Sequence, residues 1–579
     1  MSLLLFLVAS GLILGLAYRW MGRYLARYFQ LDASAPVPAH TQRDGLDFEP
    51  AKASYLLPQH FSAIAAAGPV VGPILAATAF GWLPSWIWII VGAILIGGVH
   101  DVATLIASVR HGARSIAEVV RRYMNRRSYL LFLAFIWVSL IYVIIAFADV
   151  TAGTFVQKAT AAGDAAPGPA VATSSILYLL LSVVMGLVVR YAKLGEGLAK
   201  LIFLPLVLGA ILLGPYLPFD LAALTGAARP QMLWDFVLLG YCFFAALAPV
   251  WLLLQPRGAL GGYFLYVIIV VGVLGIAIGA LNGSLSIQAP AVSPGHFFTF
   301  SGSTPPMIPV LFITIACGAC SGFHSIVASG TTSKQLANEA DAKPVAYGGM
   351  LLESFFACIS LATVMILAKP TGRPDLTYAD GIAVFMNQAT FGLVPVGVAR
   401  QFGLLCFATF VFDTLDACTR LARYVLMEFT GWKNRLGLYG ATLFSVGVPA
   451  LVLAMPPATL DGNPTPLWRV FWGLFGSSNQ LLAALALLGV TVWLARRGRT
   501  PWLTLGPTIF MLVFTIWSLG LTLWKRGELV LAGTAQPAHR MEFGVALVLV
   551  SMALWLVVEA LLLARRPAGA APATVPTPA

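Results

Sequence analysis

The sequence predicts an all-α polytopic membrane protein with about 15 transmembrane helices. Of the 579 residues, 59% are hydrophobic and only 10% are charged, whereas soluble domains carry about 25% charged residues. A helix needs roughly 20 mostly apolar residues to cross a bilayer, and stretches of this kind recur along most of the chain. A chain this apolar could not bury its hydrophobic surface in a water-soluble fold.

Charged residues and Pro/Gly clusters delimit the predicted helices. These fall near residues 3–18, 60–80, 85–108, 129–157, 174–190, 198–217, 232–255, 260–281, 306–329, 345–368, 400–427, 436–456, 468–494, 501–523 and 541–564. Residues 1–57 comprise the first span and a polar cytoplasmic segment, 58–490 the central core and 491–566 the C-terminal spans. The Pro/Ala-rich tail, 567–579, is predicted to be disordered.

Basic residues lie mainly between the apolar segments, although the net charge is +12. This distribution fits the positive-inside rule, with the N-terminus outside and the C-terminus cytoplasmic. It predicts a multi-pass protein of a bacterial inner membrane. The basic run at 111–127 is expected to contact lipid, and no basic-aromatic module indicates nucleic-acid binding. All six cysteines lie in apolar segments, which argues against a secreted disulfide framework.

Two predicted spans are interrupted by proline and glycine. The second contains Gly68-Pro69 and Gly72-Pro73, and the seventh contains Pro249. Proline removes a helical hydrogen bond, and the freed backbone groups must find partners in protein, water or a solute. Paired breaks in oppositely directed spans indicate a transporter binding site, and a half-helix beginning at Gly68 would suit a carboxylate. The alternative is a pair of kinks without a ligand.

Several long blocks resemble the carbon starvation protein A (CstA) family, which includes peptide and pyruvate carriers. The matching blocks are Asp44–Asp47, His60–Pro73, Gly98–Asp101, Arg110–Glu118, Ala316–Lys334, Asn338–Glu353, Phe412–Arg420 and Trp472–Gln480. The resemblance implies a LeuT-like core of five-plus-five inverted repeats with extra peripheral helices. The second and seventh spans would then be the first and sixth helices of that core, and residues 58–490 the transport core.

Polar residues inside predicted spans are candidates for function because they are costly in a bilayer. The substrate-binding candidates are Gly68, Pro69, Gly72, Pro73, Pro249, His324, Asn479 and Gln480. The candidates for proton or ion coupling are His100, Asp101, Asp149, Glu353, Asp413, Asp416, Ser325, Ser329, Thr331 and Lys200. Asp413 and Asp416 share one helix face, with Arg420 one turn away. Asp416 could therefore form a structural pair with Arg420 instead, and Lys200 could be an ordinary positive-inside lysine.

Cys317, Cys320 and His324 are predicted to share one face of the ninth span. Three such ligands could hold a metal, but the small residues between them favour close helix packing, and no metal or other cofactor is expected.

The sequence predicts a proton symporter that imports a small carboxylate-bearing nutrient, either pyruvate or a peptide, as the resemblance implies. The expected partners are this small solute, a coupling proton or sodium ion, and membrane lipid. An ion channel or membrane nutrient sensor is the alternative, whereas no motif supports an enzyme.

Overall fold

The computed structural model describes residues 2–45, 47–65, 67–156, 168–293, 297–299, 305–368, 373–455, 458–460 and 463–564. The predicted disordered tail lies outside the described residues. The first eleven α-helices are α1 Leu3–Phe29, α2 Pro38–Thr41, α3 Ala53–Ile64, α4 Gly68–Phe80, α5 Trp82–Gly92, α6 Gly98–Val109, α7 Ile116–Tyr123, α8 Arg126–Phe155, α9 Gly168–Tyr191, α10 Glu196–Leu213 and α11 Leu221–Thr225.

The remaining helices are α12 Pro230–Leu247, α13 Leu254–Leu281, α14 Met307–Thr314, α15 Phe323–Gly330, α16 Gly349–Met365, α17 Pro374–Ala389, α18 Val396–Thr430, α19 Arg435–Leu453, α20 Leu467–Arg496, α21 Trp502–Leu531 and α22 Pro537–Ala564. A short antiparallel hairpin pairs β1 Ala458–Leu460 with β2 Asn463–Thr465. A π-helical turn, Ala93–Gly97, joins α5 to α6.

Within the described residues, 13 helices are long and apolar enough to cross a membrane, or 14 if the bent pair α3–α4 counts as one span. The interrupted segment α14–α15 accounts for one further predicted span, so the expected count of about 15 agrees with the structure. Helix α18 lies at the centre, with its most apolar stretch 100% buried, whereas that of α22 is 28% buried. The peripheral helices α1, α21 and α22 therefore present apolar side chains to the bilayer.

The first interruption confirms the expected break in the second span. Helix α3 ends at Ile64, and α4 begins at Gly68 with an axis bent by 44°. Pro69 fits the first turn of α4 because the N–H that proline lacks would have no helical partner there.

The second interruption lies where the sequence predicts a continuous span. Helix α14 ends at Thr314, α15 begins at Phe323, and residues 315–322 between them are irregular. Gly318 has φ +88°, which favours glycine and ends helical geometry. Cys317 and Cys320 therefore do not share a helix face with His324, which lies in α15.

The expected break within the seventh span is wrong. Helix α12 ends at Leu247 and α13 begins at Leu254, so Pro249 lies in the connection between two complete spans. The second interrupted span is instead α14–α15. The assignment of the seventh predicted span as the sixth helix of the core is therefore wrong as well. Proline ends a helix at this position because it has no N–H group to donate a hydrogen bond to the preceding turn.

The two interruptions are packed against each other without room for an extra methyl group. A Cβ atom at Gly68 would collide with the side chain of Cys317, and one at Gly72 would lie 2.7 Å from the carbonyl oxygen of Thr314. Glycine at these positions therefore allows the two broken spans to approach closely.

We expect Gly68→Ala to lower the thermal stability of the purified protein, because the new methyl group overlaps Cys317. Overpacking of this kind costs about 1–3 kcal/mol. Gly240→Ala is the matched control, since a Cβ there meets nothing within 4 Å. Equal melting temperatures for the two variants in detergent would contradict the close packing.

Candidate functional site

The irregular segment 315–322 has its backbone groups bound by side chains from neighbouring helices. Trp88 Nε1 donates to the carbonyl oxygen of Ile315 at 2.9 Å. The N–H of Gly318 donates to Glu353 Oε1 at 2.9 Å, and Ser354 Oγ donates to the Gly318 carbonyl oxygen at 2.6 Å. The interruption is thus stabilised inside the protein, as a lipid environment requires.

Asn479 and Gln480 of α20 bind the irregular segment and the helix ends on either side of it. Asn479 Oδ1 accepts the N–H of Phe323 at 2.8 Å. Gln480 Nε2 donates to the carbonyl oxygens of Phe312 at 2.9 Å and Cys320 at 3.3 Å. Both side chains, expected to bind substrate, are placed where they bind the protein's own backbone.

A buried ionic network adjoins this segment and joins three of the predicted coupling residues to His324. His324 Nδ1 lies 2.8 Å from Asp101 Oδ2, and His324 Nε2 lies 3.1 Å from Glu353 Oε2. The second oxygen of Asp101 contacts His100 Nδ1 at 2.8 Å. The side chains of all four residues are 0% exposed. The imidazole of His324 thus bridges two carboxylates and ties α15 to α6 and α16.

Cys317, His324 and Glu353 have potential ligand atoms within 4.8 Å of one another. A thiol, an imidazole and a carboxylate at this spacing could hold a transition metal. However, Cys317 Sγ contacts Ser321 Oγ at 3.4 Å, and the other two residues form an ion pair. The same atoms are therefore engaged with protein partners.

A second buried ionic network surrounds Arg257, at the start of α13. Arg257 Nε lies 2.5 Å from Asp413 Oδ1, and Arg257 Nη1 pairs with Asp416. Ser62 Oγ donates to Asp413 Oδ2 at 2.9 Å, and Tyr241 OH donates to Asp416 Oδ2 at 2.8 Å. The guanidinium therefore lies between the two aspartates of α18.

The alternative pairing of Asp416 with Arg420 is not formed. Arg420 Nη2 donates instead to the carbonyl oxygens of Ala245 and Ala248, at 2.7 and 2.6 Å. These carbonyls lie at the C-terminal end of α12, where a helix leaves acceptors without helical partners. Arg420 thus caps α12 from α18.

A small cavity of about 30 Å³ lies beside the Arg257 network, between α3, the α12–α13 connection, the end of α15 and α18. Its lining includes Gln59, His60, Ser62, Arg257, Thr331, Asp413, Asp416 and Arg420. A space of this size holds roughly one or two water molecules. Gly68, Pro69, Gly72 and Pro73 are buried outside this lining, at the start of α4.

The other predicted coupling residues lie in different surroundings. Ser325, Ser329 and Thr331 donate their hydroxyl groups to carbonyl oxygens one turn earlier, at 2.6–2.9 Å. Lys200 Nζ contacts Tyr263 OH at 3.1 Å and lies over the Tyr55 ring.

Asp149 of α8 lies in another group, apart from both ionic networks. One of its oxygens accepts from Gln231 Nε2 at 2.5 Å, and the other accepts the N–H of Trp468 at 2.8 Å.

Sequence reasoning missed Arg257 and Trp88 as site residues. Arg257 follows Gln255-Pro256 next to a polar–apolar boundary, where a basic residue is interpreted as lying in a cytoplasmic loop. The one available signal was that Arg257 is the only charged residue between Asp235 and Lys334.

We expect His324→Gln to destabilise the purified protein strongly. Removing one partner of a buried ion pair costs about 3–5 kcal/mol, and this change would leave both Asp101 and Glu353 without their bridging imidazole. The control is His40→Gln, which makes the same replacement at an exposed position. Thermal unfolding in detergent should show a much lower midpoint for His324→Gln, and equal midpoints would refute a bridging role.

Comparison with solved structures shows the fold. A manganese transporter mutant from Eremococcus coleocola aligns with a TM-score of 0.50 and 14% identity, covering 88% of this chain and 95% of that one. The same transporter in complex with an aromatic bis-isothiourea compound gives a TM-score of 0.50 and 13% identity, covering 90% and 99%. These are LeuT-fold transporters, which confirms the expected LeuT-like core.

Comparison with known sequences shows the family. The carbon starvation protein CstA family profile matches residues 1–371 and 367–518. The peptide transporter CstA of Escherichia coli K12 is 31% identical over 584 residues, covering 88% of this chain and 79% of that protein. The pyruvate/proton symporter BtsT of the same organism is 31% identical over 612 residues, covering 90% and 82%. The chain is a multi-pass membrane protein that belongs to the carbon starvation protein CstA family.

Proposed function

We propose that this protein is a secondary active transporter that imports a small carboxylate-bearing solute, pyruvate or a short peptide, together with a proton. Membership of a family whose similar members are named peptide transporter and pyruvate/proton symporter supports this proposal. The proposed location is a bacterial inner membrane, with the N-terminus outside and the C-terminus cytoplasmic, as the distribution of basic residues favours.

The observation that carries the proposal is the contact between two interrupted membrane helices. Gly68 at the start of α4 packs on Cys317 in the irregular segment of α14–α15. Transporters of this general design bind their solutes where such interrupted helices meet. A channel or a sensor needs no such pair, so this contact favours a carrier.

The N-terminus of α4 is the proposed first contact for the substrate carboxylate, with Gly68, Pro69, Gly72 and Pro73 forming its first turns. In the described conformation this end of the helix is buried against the second interruption. Solute access there requires the two broken spans to separate. Such a movement is the kind of change that alternating access demands.

Coupling to the proton is proposed to act through the two buried ionic networks. Asp101 and Glu353 share His324, whereas Asp413 and Asp416 share Arg257. Neutralising one carboxylate would break an ion pair that ties one helix to another. A proton favours one of the two conformations of the transporter only if it binds that conformation more tightly than the other.

We expect proteoliposomes containing the protein to accumulate labelled pyruvate or dialanine when the outside is more acidic than the inside. Accumulation requires the downhill proton flux to supply the free energy. The measurement is uptake of pyruvate, alanine and dialanine with an imposed proton gradient, with an imposed sodium gradient, and with neither. Uptake driven by sodium alone would contradict proton coupling.

Counterflow separates a carrier from a channel in the same proteoliposomes. Preloading the liposomes with unlabelled solute should stimulate entry of the labelled solute. The reason is that the binding site of a carrier returns to the outer side faster when solute is bound to it. Liposomes without protein provide the background. Uptake without any stimulation would favour the channel alternative.

A further inference from the structure

The cavity beside Arg257 contains buried polar atoms that lack hydrogen-bond partners among the described residues. Arg257 Nε and Asp413 Oδ1 form no hydrogen bond by geometry but pair with each other as ions. The atoms left without either kind of partner are Gln59 Oε1, His60 Nε2 and Arg257 Nη2. These three side chains belong to residues that are 5%, 1% and 2% exposed, respectively. Burying such groups unpaired is costly. An unpaired donor, an unpaired acceptor and a free imidazole nitrogen that line one cavity therefore indicate a place where a polar solute binds.

The spare donor of Arg257 indicates the chemistry of that solute. Nε and Nη1 of Arg257 are used by Asp413 and Asp416, and Nη2 remains without a partner. A guanidinium binds a carboxylate through two parallel N–H groups. On Arg257 only the Nη2 group is free, so an incoming carboxylate needs a second N–H donor. The N–H of Nε can serve as that donor only if Asp413 leaves it.

Asp413 is the more weakly held of the two aspartates. Apart from Arg257, Asp413 is bound by Ser62, whereas Asp416 is bound by Tyr241 and Cys242. The other charged and titratable groups near Asp413 are Tyr178, whose hydroxyl faces the same side of Gly261, and Asp416 itself. The free space of about 30 Å³ beside this ion pair is small.

Charge balance links this exchange to a proton. Among the residues that line the cavity, the guanidinium groups of Arg257 and Arg420 are matched by the carboxylates of Asp413 and Asp416. An added carboxylate would leave one negative charge without compensation in a buried site, which is strongly unfavourable. A proton taken up by the displaced carboxylate restores neutrality.

Resting on the proposed function, we propose that the carboxylate of the transported solute, after its first contact at the start of α4, is bound by Arg257, and that Asp413, displaced from Arg257, binds the co-transported proton. One proton adds to one Asp413 oxygen as one solute anion binds. When the solute leaves, Asp413 releases the proton and pairs with Arg257 again. With a monocarboxylate such as pyruvate, the site thus moves a neutral pair of anion and proton, whereas a zwitterionic peptide moves with one net positive charge.

The test is proton uptake on ligand binding to the purified protein in weakly buffered detergent, with pyruvate and dialanine as probes. We expect the wild-type protein to take up about one proton for each carboxylate bound. Asp413→Asn should bind the probe without proton uptake, since its amide is already neutral. Arg257→Gln should bind roughly ten- to a hundred-fold more weakly, because a charge-assisted contact is lost.

Two further variants keep the result interpretable. Arg257→Lys retains the charge but not the two parallel donors, so it should bind more weakly than wild type even if Arg257→Gln does not fold. Arg526→Gln makes the matched replacement in a distant ion pair, Arg526–Glu542, and should behave as wild type does.

Unchanged binding in both Arg257 variants, or equal proton uptake by Asp413→Asn and wild type, would overturn the inference while leaving transport intact. Wild-type proteoliposomes that accumulate neither probe under any gradient would instead overturn the proposed function, and the inference with it.

Discussion

The structure depends on one constraint: a membrane helix that stops inside the protein must have its free backbone groups bound by other protein groups. In the α14–α15 interruption this is done by side chains from three other helices, α5, α16 and α20. Lipid offers no hydrogen bonds, so each of these side chains is required where the helix is open. The polar residues that look exceptional in apolar spans are largely accounted for in this way.

The same constraint explains why charge lies so deep in the molecule. Glu353 binds the backbone of Gly318 through one oxygen and His324 through the other. His324 in turn binds Asp101, so the open backbone is connected to an ionic network spanning α6, α15 and α16. A change of charge on any residue of this network would therefore alter the interactions that stabilise the interruption. This is the physical basis on which a proton can influence the position of the broken spans.

The sequence was sufficient for the class of fold, the approximate number of spans and the first interruption, because Gly68-Pro69 is a local signal within an apolar stretch. It was misleading at Pro249, where the same kind of signal ends one span before another. It gave no sign of the second interruption, because residues 315–322 contain no proline, and small apolar residues are common in membrane helices. That break is held by Glu353 and Asn479, which are distant in sequence, so local patterns could not reveal it.

The candidate site was only partly predictable for a related reason. Intramembrane aspartates such as Asp413 and Asp416 are conspicuous because charge is rare in spans. Their partner, Arg257, lies at the predicted edge of a helix and is brought to them only by the packing of α13 on α18. Arg257 lies between the two aspartates, and Arg420 lines the same cavity, so the two negative charges are matched by two positive ones. The substrate-binding and coupling roles assigned to the individual residues stay predictions.

The most direct test is an electron cryomicroscopy map of the protein in lipid nanodiscs at acidic pH with saturating pyruvate. We predict that both α3–α4 and α14–α15 are interrupted at the same depth, with solute density next to Arg257. Continuous helices at either position, or solute density on an unrelated side of the molecule, would contradict it.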